Sequence, residues 1–148
     1  MKRSLKLIPV RFGEISYKSA ITLSNNGDFP LLKSTIEQRK EDSCYETGEK
    51  VIHFLTCCNK DKRVIGLLGY EIISKNKIYI SPLEVVVPYR GMGIATKLIE
   101  IMKSMSKYVK CDLNLYCNDS LIPFYEKFGF KTIREIDDNE HEMIWKPR

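Results

Sequence analysis

The chain has 148 residues, 43% of them hydrophobic and 29% charged, with a formal net charge of +5. A chain of this length buries about two-thirds of its unfolded surface on folding, so it needs neither a metal nor a disulfide framework to hold together. The composition excludes a disordered tail, a collagen-like fibre and a cysteine-stapled scaffold.

Ser4 to Arg11 reads as a first strand, with imperfect alternation, and Glu14 to Leu23 as a weak helix. Asn25-Asn26-Gly27-Asp28 breaks the chain. Pro30 opens a new segment, and Leu31 to Lys40 reads as a second helix. Glu41 to Glu49 is polar and loop-like. Three strands are then expected at Val51 to Cys58, Val64 to Ile73 and Ile78 to Val87, joined by Asn59-Lys60-Asp61-Lys62 and Ser74-Lys75-Asn76 as a meander. Pro82 inside the third strand marks an irregular or opened stretch.

The period changes at Ile94. Ile94, Leu98, Ile101, Met102, Met105 and Val109 lie on one face of a helix. Leu113 to Cys117 is a short strand, and Ser120 to Phe128 a short helix ending at Gly129. Lys131 to Ile136 and His141 to Trp145 form a last hairpin. The order β-α-α-β-β-β-α-β-α-β-β describes an α+β (mixed α/β) fold, one domain over residues 1–148.

No apolar run is long enough to span a membrane, and the N-terminal apolar stretch is too short for a secretory leader. A cytoplasmic protein is expected. Cys44, Cys57, Cys58, Cys111 and Cys117 are odd in number, contain no Cys-x-x-Cys, and are not spaced with His53 and His141 as zinc ligands. They read as reduced thiols, and no metal site is expected. The positive charge is spread along the chain, so nucleic acid is not expected; a phosphate-bearing small molecule accounts for it as well.

The segment Val85-Val86-Val87-Pro88-Tyr89-Arg90-Gly91-Met92-Gly93-Ile94-Ala95 carries the chemistry. A β-forming run enters a two-glycine loop and then the longest helix. A helix start presents unpaired N–H groups and a partial positive charge. Gly91, Gly93 and the small Ala95 let a ligand come close, and Arg90 adds a positive charge. The combination suits phosphate oxygens. The loop is not Walker A, which needs Gly-Lys-Ser/Thr. A dinucleotide fingerprint is also a poor fit. Thr96 takes its third glycine position, and Asp112 stands at the start of its strand rather than the end.

Arg90-Gly91-Met92-Gly93-Ile94-Ala95 matches the pyrophosphate loop of coenzyme A-dependent acetyltransferases, Arg/Gln-x-x-Gly-x-Gly/Ala. Asn118-Asp119-Ser120-Leu121-Ile122-Pro123-Phe124-Tyr125-Glu126-Lys127-Phe128-Gly129-Phe130 is similar to a second signature of the same enzymes, with Leu121 in place of their alanine. On these two motifs and the order of elements, the chain resembles the GNAT superfamily of acetyl-CoA-dependent N-acetyltransferases. Residues 63–130 carry the resemblance most strongly.

The resemblance implies a mostly antiparallel sheet splayed between the third meander strand and the strand from Leu113. Pantetheine would pair with backbone near Leu83, Val85 and Val87. The pyrophosphate would lie on Arg90, Gly91, Met92, Gly93, Ile94 and Ala95, and Asn118 would bond the pantetheine amides or cap its turn. Acetyl-CoA is the implied co-substrate, and the partner an amine acceptor, either a small amine or a protein amino group. A homodimer is left open. Tyr125 matches the family tyrosine that protonates the leaving thiolate. Tyr79 falls where relatives carry their base. With Ser81 it could hold a water that takes the amine proton, or it could wall the amine pocket. Glu84 is charged but falls on the opposite face of its strand. The stretch from Leu115 to Phe130 is most similar to arylalkylamine-type members, whereas Phe29-Pro30 and Tyr79 resemble protein N-terminal acetyltransferases. Two other readings stay open: a non-catalytic acyl-CoA sensor and a dinucleotide-binding protein.

Overall fold

The computed structural model describes residues 9–147. Seven strands and five helices follow in the order β1 (Val10–Ile15), α1 (Tyr17–Ser24), α2 (Pro30–Lys40), α3 (Ser43–Thr47), β2 (His53–Asn59), β3 (Val64–Ser74), β4 (Lys77–Val85), α4 (Ile94–Val109), β5 (Asp112–Asn118), α5 (Ile122–Glu126), β6 (Lys131–Asp137) and β7 (Glu140–Trp145). The expected mixed α/β order is present, with α3 as an addition. No helix among the described residues is long and apolar enough to cross a membrane.

The chain divides into two compact units. The first takes residues up to Glu71 with Ser81–Leu98, and the second Ile72–Ile80 with residues from Ile99 onward.

In the first unit the strand order is β1-β2-β3-β4. The first strand starts later than expected. Residues 4–8 lie outside the described residues, and β1 runs through Gly13 because Val10 to Ile15 pair antiparallel with Asn59 to Phe54 of β2. That pairing takes Glu14 and Ile15 from the expected first helix. α1 begins instead after Ser16, whose hydroxyl accepts from Ser19 N at 3.0 Å. The segment read as a loop holds the one-turn helix α3. Asp42 caps it by accepting from Cys44 N at 2.9 Å, and Gly48 ends it at φ +85°.

α2 has no side-chain cap of its own. Its first free amides are met from β4 instead. Glu84 accepts from Leu31 N at 3.0 Å and from Leu32 N at 2.9 Å. Glu84 is 5% exposed, and its carboxylate lies at the positive end of the helix. Glu84 is therefore a structural anchor, and its charge is spent on α2. Ile78, Ile80 and Pro82 share its buried face of β4, whereas Tyr79, Ser81 and Leu83 are half-buried on the other. Pro82 does not break the strand; the Ser81–Pro82 bond is cis. Phe29, Leu32, Ile36, Phe54, Ile65 and Leu67 are almost fully buried.

The second unit orders its strands β4-β5-β7-β6. β4 and β5 are parallel, with Lys77, Ile78 and Tyr79 opposite Asp112, Leu113 and Asn114. β5 pairs antiparallel with β7 from Leu113 opposite Trp145 to Asn118 opposite Glu140. β6 closes the hairpin with two register shifts, and all seven of its residues are exposed. α4 has the expected bounds. Ile99 and Ser106 are buried on it, while Val109, expected on the apolar face, is 51% exposed.

Gly69 lies where β3 passes very close to β4. A Cβ there would stand 2.5 Å from Ser81 O and 3.0 Å from Pro82 Cδ. Gly69→Ala is expected to destabilise the protein by about 1–3 kcal/mol, the usual cost of overpacking; an unchanged melting temperature would contradict this contact. Glu84→Ala leaves two helix amides without an acceptor and is expected to cost about 2–3 kcal/mol. Chemical denaturation measures that loss, and a variant as stable as the parent would remove the anchor.

Candidate functional site

The glycine loop belongs to the first unit. β4 ends at Val85, and Val86 donates its N–H to Ile65 O at 2.9 Å. Val87–Tyr89 then winds into a single 3-10 turn, closed by Tyr89 N to Val86 O at 3.0 Å and Arg90 N to Val87 O at 3.2 Å. The strand was expected to run to Val87. Pro88 supplies no N–H and a fixed φ, so the chain turns there. Val87 is 69% exposed, and its carbonyl accepts within the turn. Asn59 Nδ2 donates to the Tyr89 hydroxyl at 3.2 Å. Asn59 Oδ1 accepts from Asp61 N and Arg63 N, so the β2–β3 turn holds the near end of the loop.

Arg90 is exposed, and its Nε donates to Val85 O at 2.9 Å. One side of the guanidinium is thus tied to the end of β4, and both terminal nitrogens are left out of that bond. Leu83 is half-buried and Val85 buried beside it. Gly91 and Gly93 have φ of +78° and +86°, a backbone region in which a side chain is strained. A Cβ on Gly91 would meet nothing within 4 Å, so this glycine is required for its backbone alone. Gly93 O accepts from Lys97 N at 3.0 Å and so begins α4. Ile94 packs inward at 1% exposure, while Met92 and Ala95 are half-buried and Lys97 is exposed.

The consequence is a row of donors. The amides of Gly91, Met92, Gly93, Ile94, Ala95 and Thr96 have no acceptor among the described residues. Consecutive open N–H groups at the positive end of a 16-residue helix fit a pyrophosphate, with Arg90 adding a full charge.

The second unit holds Tyr125, Asn118 and Tyr79. Tyr125 stands on α5, which starts at Ile122 with Pro123 in its first turn. It is 7% exposed, and its ring meets Phe124 and Phe130 edge-on at 5.1 Å and 5.8 Å. Its hydroxyl has no hydrogen-bond partner among the described residues, yet no fully buried side-chain oxygen there lacks one. The ring is therefore core and the oxygen reaches solvent. Burial, and then the nearby Cys117, push its phenol above the ordinary value of 10.0, so the group keeps its proton at neutral pH.

Asn118 is exposed, stands at the head of a 3-10 turn, and accepts from Ser120 Oγ at 2.6 Å. Cys117 is buried, with Sγ 3.6 Å from Met143 Sδ. Burial and then Asp119 push its thiol up, which suits packing rather than attack. His53 stacks on Tyr70 at 5.0 Å, and His141 contacts Asp119.

Tyr79 is half-buried, and its ring lies 5.7 Å from that of Tyr116 in an edge contact. Beside them is a polar cluster that sequence reading missed. Asn114 Nδ2 donates to Glu142 Oε2 at 2.7 Å, and Arg134 donates to Oε1 from Nε at 2.9 Å and from Nη2 at 2.7 Å. Asn114 and Glu142 are 3% and 5% exposed. Burial opposes ionisation of Glu142, but the bonds from Asn114 and Arg134 outweigh it and hold the carboxyl below its usual range. Only the alternation of β7 could have hinted at a buried acid there. Among the described residues no group of three metal-ligating side chains gathers.

Comparison with known proteins agrees with this fold. The family model described as acetyltransferase (GNAT) family matches residues 20–130. A zebrafish (Danio rerio) N-alpha-acetyltransferase 50 is 34% identical over 76 residues, which cover 48% of this chain and 45% of that protein. The match thus spans less than half the length of that relative. An uncharacterised N-acetyltransferase of Halalkalibacterium halodurans is 25% identical over 145 residues, covering 90% of this chain and 83% of the relative. A crystal structure of the PaiA N-acetyltransferase of Thermoplasma acidophilum in complex with coenzyme A has the same fold, with a TM-score of 0.66 at 21% identity over 94% of this chain and 99% of that one. With the family model covering most of its length, the chain belongs to the GNAT acetyltransferase family.

Proposed function

We propose that the protein is an acetyl-CoA-dependent N-acetyltransferase that moves an acetyl group to a primary amine by direct attack in a ternary complex. The observation that carries this reading is the row of open amides from Gly91 to Thr96 beside Arg90. These groups bind the pyrophosphate of acetyl-CoA, and backbone near Leu83 and Val85 pairs with the pantetheine arm. Val87 lies beyond the end of β4, in the 3-10 turn. The coenzyme A complex of the Thermoplasma relative and the name of the zebrafish one support the same donor and the same reaction.

In the transfer step the neutral amine nitrogen attacks the thioester carbonyl carbon, and the carbon–sulfur bond breaks. The thiolate takes a proton, and the nitrogen loses one. Tyr125 donates to the thiolate; a phenol that is protonated at working pH can supply that proton or hydrogen bond when sulfur becomes charged. Tyr79 relays the amine proton through water to solvent, with Tyr116 walling the amine side. Water is the immediate acceptor of that proton.

Gly93→Asp places a carboxylate among the amides at a φ of +86° and is expected to abolish the rise in melting temperature given by acetyl-CoA. A folded variant stabilised as well as the parent would refute the loop. Arg90→Ala is expected to raise the KM for acetyl-CoA about tenfold or more, with kcat changed less, because a phosphate contact is similar in ground and transition states; steady-state kinetics decides.

Tyr125→Phe is expected to lower kcat by about 10²-fold or more at saturating amine, with the melting temperature nearly unchanged. Turnover within about twofold of the parent, with chemistry rate-limiting, would remove Tyr125 from the step. Because the Tyr125 pKa lies above its ordinary value, its proton is lost only at higher pH. The parent kcat should therefore show no fall from this group below about pH 10.

A further inference from the structure

The second unit carries a pocket to which neither the glycine loop nor Tyr125 contributes. Its volume is about 570 Å³, within the size range of small-molecule sites. Lys103 and Lys107 line it from successive turns of α4, Lys131 from the start of β6 and Lys146 from just past β7, with Ile133 and Trp145 as apolar wall. Lys131 lies opposite Ile144 in the β6–β7 register, which brings it beside the end of β7.

Four positive side chains converge with no acidic residue in the lining. None of the four is in an ion pair among the described residues. That is an uncompensated local field. Ordinarily lysines scatter on a helix face and meet carboxylates at neighbouring positions; here α4 and the hairpin direct them into one concavity. Lys103 is held in place. Its Nζ donates to Phe128 O at 2.7 Å and sits 5.0 Å from the Trp145 ring centre. Gly129 keeps the floor open, since a Cβ there would stand 3.2 Å from Trp145 Cδ1. The other three lysines are exposed, as is Ile133.

The kind of charge matters. Arginine's planar fork suits carboxylates, whereas a lysine ammonium is a point charge that serves phosphate well. The lining contains no arginine. We infer that this pocket binds a phosphorylated small molecule, its phosphates held by Lys103, Lys107, Lys131 and Lys146 and its organic body resting on Ile133 and Trp145. The site is separate in its residues from the acyl-transfer machinery and does not depend on that reading.

Trp145 is the only tryptophan of the chain, so its fluorescence reports occupancy. The experiment titrates the full chain with ATP, tripolyphosphate, citrate and a DNA duplex, without magnesium, and repeats the titration on Lys107→Glu/Lys131→Glu and on Gly93→Asp. Calorimetry accompanies the fluorescence. ATP is expected to give a saturable change, tighter than tripolyphosphate because the base adds apolar contact, and weakened by added salt. The double lysine variant is expected to bind ATP about 100-fold more weakly, roughly tenfold for each lost charge-assisted contact, while its circular dichroism stays that of the parent. Gly93→Asp is expected to keep the parent's affinity at Trp145, which separates this pocket from the loop. The absence of a saturable change, or equal ATP affinity in the double lysine variant, would overturn the site. Citrate binding as tightly as ATP would overturn the phosphate assignment. A DNA duplex binding more tightly than ATP through the same lysines would overturn the small-molecule assignment.

Discussion

The contact between the Glu84 carboxylate and the first amides of α2 joins two problems into one solution. α2 begins at a proline and has no polar side chain at its cap, so its N-terminal donors would be left buried without partners. β4 carries an acid on its inward face, where a charge would be costly unless fully hydrogen-bonded. Each defect cancels the other at 2.9–3.0 Å. Removing either side leaves the other exposed as a cost, so the end of β4 is held far more firmly than its β propensity would hold it. Val85, which anchors the Arg90 side chain, is the next residue along. The position of the loop thus rests on a carboxylate that takes no part in binding.

The loop itself works by subtraction. Two glycines with positive φ and a proline-opened turn leave main-chain donors unused where an ordinary helix start would cap them with a serine or aspartate. An unpaired donor is tolerable only while solvent or a ligand reaches it. The arrangement stores affinity as unmet hydrogen bonding, and the Arg90 side chain, tied by one nitrogen, is oriented before any anion arrives.

Much of this was legible from residue order. The 3.6-residue spacing from Ile94 to Val109 marked both ends of α4, and the glycine spacing marked the loop. Reading failed where the decisive partner was distant. Nothing near Glu84 indicates α2, more than fifty residues earlier. The Asn114–Glu142–Arg134 cluster needs the β5–β7 register, which cannot be read from either strand alone. It also failed on short elements: α3 is five residues long, too brief for periodicity, though Asp42 before it and Gly48 after it were the available signs. Val86 and Val87 look like strand by composition, and Pro88 overrides them.

β6 is the outer strand of its unit, and every one of its residues faces solvent, including Ile133 and Ile136. Such an open edge can recruit strands from other molecules and seed aggregates. Lys131, Arg134, Glu135 and Asp137, together with two register shifts, make it a poor template for another chain. Neutralising those charges would therefore threaten colloidal stability at high protein concentration well before it touched the core.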